Sequence, residues 1–293
     1  MKLKNYLILL AIGIIWGSQF IFQEIALTSF SPIWIGAARA VIGAITLILI
    51  CKSMGLKGNN NQWFLFSSIG LLDATIPFVI MPWAQQNLSS SIAALLMGTL
   101  PFYVLLLAPF FITNAKITIG NLISVMIGFS GLLILFYPEL SSRTDTINIL
   151  SSLGIIVAAI CFAIALLLLN QVRNEHPIIV ARNILSMAAI QLIVIAFVST
   201  PIKIQSISHA GMLALLYLGV ICAGIVYYLY MVSIKNAGAV FTSMTNYIVP
   251  TAGVIIGATM SNDIILLNTW LALAVILSAL FMNQLLSINE QQS

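Results

Sequence analysis

Asp73 interrupts an apolar run, Phe64 to Met81, that contains no other charged residue. It falls about 15 Å along its helix at 1.5 Å rise per residue, and an ionised carboxylate at the centre of a bilayer costs at least about 2.5 kcal/mol. Two functional uses would compensate: Asp73 binds a cationic or amino group of a solute, or it takes up and releases a proton. A structural use is a hydrogen bond to a neighbouring hydroxyl or to backbone loosened near Pro77. Trp16, Tyr103, Tyr227, Tyr228, Tyr230 and Tyr247 bring rings with polar handles to comparable depth; their hydroxyls and indole N–H favour a cavity-facing or interhelical place, although any one such ring is more often core packing than a solute contact. Gln19, Thr99 and Asn246 add uncharged donors and acceptors. Together with Asp73, the candidates for solute binding or coupling are Trp16, Gln19, Thr99, Tyr103, Tyr227, Tyr230, Asn246 and Tyr247.

Arg39 and Arg182 stand in mirror positions, about 9 Å and 7 Å from opposite faces. Their stems are long enough to snorkel, with the guanidinium at the headgroups, so both are expected to serve as structural or gating charges. Gln85, Gln86 and Asn87 close their span and read as interfacial. His176 and His209 lie at loop edges, and Cys51, Cys161 and Cys222 lie in apolar stretches without a CxxC or Cys/His spacing, so no metal site or cofactor is expected. Neither a Ser/His/Asp arrangement nor a phosphate-cradling glycine loop occurs. The expectation is that the chain is not an enzyme.

The elements that must position these residues are membrane spans. The 293 residues are 61% hydrophobic and 6% charged, against about 25% charged in soluble domains. Stretches long enough to cross about 30 Å of hydrocarbon fall near 5 to 27, 33 to 51, 63 to 84, 90 to 112, 118 to 137, 149 to 170, 177 to 199, 210 to 234, 238 to 260 and 266 to 287. Met1-Lys2-Leu3-Lys4 and the run after it suggest a leader, but the apolar stretch continues through Ala26, beyond the 7 to 15 residues of a leader core. It reads as a retained span. Lys2, Lys4, Lys52, Lys57, Lys116, Arg173 and Lys235 gather on one side and only Arg143 and Lys203 on the other. The positive-inside rule therefore places both termini in the cytoplasm of a multi-pass inner-membrane protein. The net charge of +4 follows from this topology and implies no nucleic-acid partner, which would need a clustered basic face.

The chain is also a duplication. Residues 67 to 112 align without a gap on 216 to 261, pairing Gly70 with Gly219, Ala74 with Ala223, Asn87 with Asn236 and Pro101 with Pro250. Five spans per half make the repeats inverted: 1–138 is one repeat, 139–148 a linker and 149–288 the other. Pro101 and Pro250 then lie near the midplane, entering from opposite faces, and with Pro77 are the expected helix bends. The fold class is all-α, ten transmembrane helices in two inverted five-helix repeats, an arrangement that suits a site opened alternately to either side. The symmetry fails in the third span, where Asp73 pairs with Cys222.

Trp16-Gly17-Ser18-Gln19-Phe20, Ala38-Arg39-Ala40, Ala93-Ala94-Leu95-Leu96 running to Pro101, and Gly131-Leu132-Leu133-Ile134, with Ala181-Arg182 and Gly238-Ala239 through Asn246 to Pro250 in the second half, resemble the EamA-like drug/metabolite transporters. The resemblance covers essentially the whole chain. It implies a carrier that commonly exports amino acids or other small metabolites through a central cavity near spans three, four, eight and nine. Three departures stand out: Glu24 where the family usually has lysine, and Asn114-Ala115-Lys116 and Ser261-Asn262-Asp263 where it tends to place Gly-Glu. The expected partners are a small solute, the lipid bilayer and, as coupling candidate, a proton. An uptake carrier, a multidrug exporter and a non-transporting accessory protein are the alternatives.

Overall fold

Ten long helical segments run through the computed structural model, which describes residues 3–58, 62–112, 118–142, 148–169, 171–172, 175–199, 208–237, 242, 245–261 and 265–292. They are α1 (Leu3–Leu27), α2 (Pro32–Ser53), α3 (Trp63–Ala84), α4 (Ser90–Phe111), α5 (Ile119–Ser142), α6 (Ile149–Leu169), α7 (Pro177–Ser199), α8 (His209–Leu216, Tyr217–Ile225 and Val226–Ala237 in succession), α9 (Thr245–Met260) and α10 (Leu267–Gln292). Seven are apolar over a length that crosses a membrane, and α5 and α10 carry shorter apolar stretches, Ile119–Leu135 and Leu267–Met282. α5 continues into the segment expected as linker. Lys2, Lys116, Arg143, Asp145, Arg173 and Lys203 lie outside the described residues, as do 238–241 at the start of the expected ninth span.

Local chemistry sets the helix ends. Pro32 occupies the first turn of α2, where no amide hydrogen bond is lost. The Ser89 hydroxyl accepts from Ile92 N to start α4, and the Ser208 hydroxyl accepts from Gly211 N to start α8. Side chains such as Phe64, Phe110 and Val198 are exposed, as lipid-facing positions should be.

The helix neighbours carry the inverted symmetry. α1 packs on α9 and α6 on α4; α2 packs on α8 and α7 on α3; α2 with α7, α4 with α9 and α5 with α10 are self-matched pairs. Exchanging each helix for its counterpart five places on reproduces the same set. Small residues allow the close approaches: a Cβ on Gly17 of α1 would lie 2.7 Å from Ala252 Cβ and 2.9 Å from the Val249 carbonyl oxygen of α9. Gly17→Val is therefore expected to destabilise the protein by about 1–3 kcal/mol, read as a lower melting temperature in detergent. An unchanged melt would mean that α1 does not close on α9 in this way.

Two helices depart from α geometry at matching places. Leu71–Thr75 of α3 and Tyr217–Ile225 of α8 are π-helical, and the 149-residue repeat offset lays the first inside the second. π-segments widen the backbone turn and occur frequently at functional sites. The fourth helix breaks instead, with Ser90–Met97 ending in a turn at Gly98 and Thr99 before Leu100–Phe111 resumes. Pro101 lacks the amide that would continue the ladder. Amides of Gly98 and Thr99 reach back three residues, to Leu95 O and Leu96 O, and the Thr99 hydroxyl donates to Leu96 O at 2.6 Å. Pro250, by contrast, sits inside the continuous helix Thr245–Met260. The two prolines share a place in the repeat but produce a break in one helix only.

Candidate functional site

The broken helix, Asp73 of the π-segment of α3, and the stretch of α8 just after its own π-segment line a central cavity of about 170 Å³. A Cβ on Gly98 would lie 3.0 Å from Pro250 Cβ, so the turn in α4 rests against the proline of α9, and Pro101 and Pro250 both line the space. Its walls are otherwise mostly aromatic and aliphatic, including Phe20, Phe78, Met97, Phe162 and Met231.

Asp73 reaches the cavity from the π-segment of α3. Its Oδ2 accepts a hydrogen bond from the Tyr227 hydroxyl of α8 at 3.0 Å. The neighbouring Thr75 hydroxyl donates to Gln191 Oε1 at 2.6 Å, and Gln191 Nε2 donates to Ser67 Oγ at 2.8 Å, tying this stretch of α3 to α7. In α8 the indole N–H of Trp16 donates to the Cys222 carbonyl oxygen at 3.3 Å. Cys222 is the repeat counterpart of Asp73. One repeat thus presents a carboxylate to a tyrosine, and the other presents a backbone oxygen to a tryptophan. Trp16 stands edge-on to Tyr227, with centroids 5.9 Å apart, and lies 5.2 Å from the Tyr230 ring. The three rings form an aromatic corner beside Asp73.

Arg39 does not snorkel. It is 3% exposed and lines the cavity, donating from Nη2 to Gln19 Oε1 at 2.5 Å with its guanidinium 4.1 Å from the Phe78 ring centroid. Small residues on α2 explain the inward turn: a Cβ on Gly36 would meet the Phe78 carbonyl oxygen at 2.7 Å, so α2 and α3 approach closely enough for Arg39 to stack on Phe78. Among the described residues no ion pair joins Arg39 to Asp73. Arg182 instead bonds Asn183 Oδ1 at 2.8 Å and is absent from the cavity lining.

The cavity brings together Trp16, Gln19, Arg39, Asp73, Tyr227, Tyr230, Asn246, Pro101 and Pro250. Thr99, Tyr103, Tyr247 and Pro77 are not in its lining. The Thr99 hydroxyl serves the helix break, Tyr103 packs 5.8 Å from Phe129, and the Tyr247 hydroxyl donates to the Leu280 carbonyl oxygen of α10 at 2.6 Å. Pro77 is buried in the first turn after the π-segment of α3. Gln85 is a correction: it is not interfacial but 5% exposed, donating to Phe20 O at 2.9 Å and Ser90 Oγ at 3.3 Å. Phe78 and Phe162 were not singled out in the sequence, where they look like any other apolar residue.

A model of the EamA-like transporter family matches residues 3–137 and again 149–284. The chain is 26% identical over 276 residues to the uncharacterised inner membrane transporter YedA of Escherichia coli, covering 92% of this chain and 87% of that protein. It is 22% identical over 257 residues to a WAT1-related chloroplastic protein of Arabidopsis thaliana, covering 85% of this chain and 61% of that longer protein. An uncharacterised transporter of Archaeoglobus fulgidus is 22% identical over 254 residues, 85% of this chain and 86% of its own length. A solved crystal structure superimposes with a TM-score of 0.71 at 14% identity, over 99% of both chains, which speaks to fold alone.

Proposed function

The chain belongs to the EamA-like transporter family, and on that footing we propose that it exports small zwitterionic metabolites, amino acids or related compounds, by alternating access through the central cavity. The observation that carries this reading is the presence of Arg39 and Asp73, opposite charges without an ion pair between them, in one aromatic-walled space. A guanidinium suits a carboxylate. Asp73, beside the rings of Trp16, Tyr227 and Tyr230, suits an ammonium group, which gains both charge pairing and cation–π contact. A zwitterion would satisfy both charges at once.

The size of the cavity favours a small solute over a drug. At about 170 Å³ it lies below the roughly 300–1,000 Å³ of pockets that enclose drug-sized ligands. Export is the direction that the family resemblance implies; the lining extends toward the helix ends on the side of both termini, taken as cytoplasmic from the charge bias, which is where an exported solute would enter. A solute gradient, or proton exchange at Asp73, would drive the cycle.

Counterflow in proteoliposomes tests the reading. Labelled zwitterionic amino acids are expected to accumulate against preloaded unlabelled solute, whereas bulky hydrophobic cations are not. Accumulation of the cations alone would favour a multidrug exporter, and accumulation of nothing across a panel that includes nucleosides would favour a non-transporting membrane protein.

A further inference from the structure

The cavity is lopsided along the bundle. Toward the end that holds both termini its lining reaches the helix ends: Leu169 closes α6 and Val180 lies in the first turn of α7. Toward the opposite end it stops on α1 at Phe20 and on α2 at Arg39. Each lies about two helical turns, roughly 10 Å, from its helix end. A plug therefore seals that end.

The plug is polar where an apolar seal would suffice. Gln23 is fully buried, and neither its Nε2 nor its Oε1 has a hydrogen-bond partner. Gln85 Oε1, Arg39 Nε and Ser31 Oγ are buried and unpartnered as well. Of the six such side-chain atoms among the described residues, these are five, and all five lie in the half of the bundle opposite the termini. Buried polar groups are nearly always satisfied, so a group of them without protein partners marks a place suited to take up water or the polar atoms of a solute. Gln23 lies one turn beyond Gln19 on α1, which extends the polar row of the cavity into the plug.

The plug is also fastened. Glu24 accepts 2.6 Å hydrogen bonds from the Ser90 hydroxyl at the start of α4 and from the Ser261 hydroxyl just past α9. One carboxylate thus holds α1, α4 and α9 together at the end opposite the termini, through charge-assisted bonds stronger than neutral ones.

We infer that Gln23, Gln85 and the unpartnered edge of Arg39 form a second polar station on the solute's route, closed in this conformation by the latch of Glu24 on Ser90 and Ser261. The inference rests on the transport reading above. The station takes small solutes that carry both donors and acceptors: the Gln23 carboxamide offers both, and the Arg39 N–H meets an anionic oxygen. Parting of the latch lets water or solute reach these groups.

Cysteine accessibility tests this without any solute. Gln23→Cys is placed in a chain carrying Cys161→Ala and Cys222→Ser, with native Cys51, 2% exposed, kept as a reporter of unfolding. A membrane-impermeant maleimide is applied to right-side-out and to inverted vesicles, and labelling is read by peptide mass spectrometry. The thiol introduced at position 23 is expected to react slowly, and only from the face opposite the termini. Adding Glu24→Ala raises the rate about tenfold and adding Glu24→Gln about two- to threefold, because the amide keeps weaker hydrogen bonds. Cys51 stays unlabelled. If Glu24→Ala exposes Cys51, the comparison rests on Glu24→Gln. No acceleration from that face, or equal labelling from the terminus side, overturns the station. A protein that passes counterflow but fails here refutes the station alone, and one that labels as expected but moves no solute refutes the transport reading.

Discussion

Asp73→Asn is expected to cut counterflow of zwitterionic solutes by about ten- to a hundredfold, the effect of losing a charged hydrogen-bonding partner valued at about 1.5–3 kcal/mol. Asparagine has nearly the same shape, and its carbonyl oxygen can still accept the 3.0 Å bond from the Tyr227 hydroxyl. Helix packing should therefore survive, and an unchanged melting temperature in detergent is the control. What disappears is the negative charge beside Trp16, Tyr227 and Tyr230, and with it the site for an ammonium group and for a proton. If the proton is part of the cycle, wild-type transport changes with pH and the residual transport of the variant does not. Wild-type rate with wild-type pH dependence in Asp73→Asn would reduce Asp73 to a structural anchor for Tyr227.

Arg39→Leu is expected to weaken handling of carboxylate-bearing solutes by a similar factor, about ten- to a hundredfold, while sparing the corresponding methyl esters. The ester removes the group that Arg39 would pair with and leaves the ammonium for Asp73. Competition of each pair of compounds against a common labelled substrate measures the discrimination. Arg39→Lys is expected to restore it poorly. A lysine ammonium is a point charge that lacks the planar fork of arginine, and it cannot bond Gln19 while lying flat 4.1 Å above the Phe78 ring. Equal loss for acids and esters would indicate that Arg39 holds α1 and α2 together rather than meeting solute.

The two variants probe residues that were unequally legible in the sequence. Asp73 announces itself as a lone charge at mid-span, and its location in the cavity agrees with that signal. Arg39 carries the opposite message: its depth permits snorkelling, and the linear sequence contains no hint that Phe78 and Gln19 wait on the inner side. Gln85 misleads for a related reason, since a glutamine at a helix end is usually interfacial unless another helix end covers it. Here Ser90 and the α1 backbone at Phe20 do so. Tyr247 and Tyr103 look like Tyr227 in composition and depth, yet one faces α10 and the other packs on Phe129.

The number of spans, the duplication and its inversion, and the symmetric prolines were determined by sequence alone, because each depends on a local or periodic property. A stretch of some twenty apolar residues must cross the bilayer as a helix to satisfy its own backbone, and five spans per repeat force the second repeat to start from the other side. Only the tertiary structure decided which face of each helix looks inward, where the helical turn widens around Asp73 and Cys222, and which end of the cavity is shut. These helices are apolar on nearly every side, so no hydrophobic stripe marks the buried face. Rotation and local geometry are set instead by close approaches between helices distant in sequence, such as Gly17 against Val249 and Gly98 against Pro250.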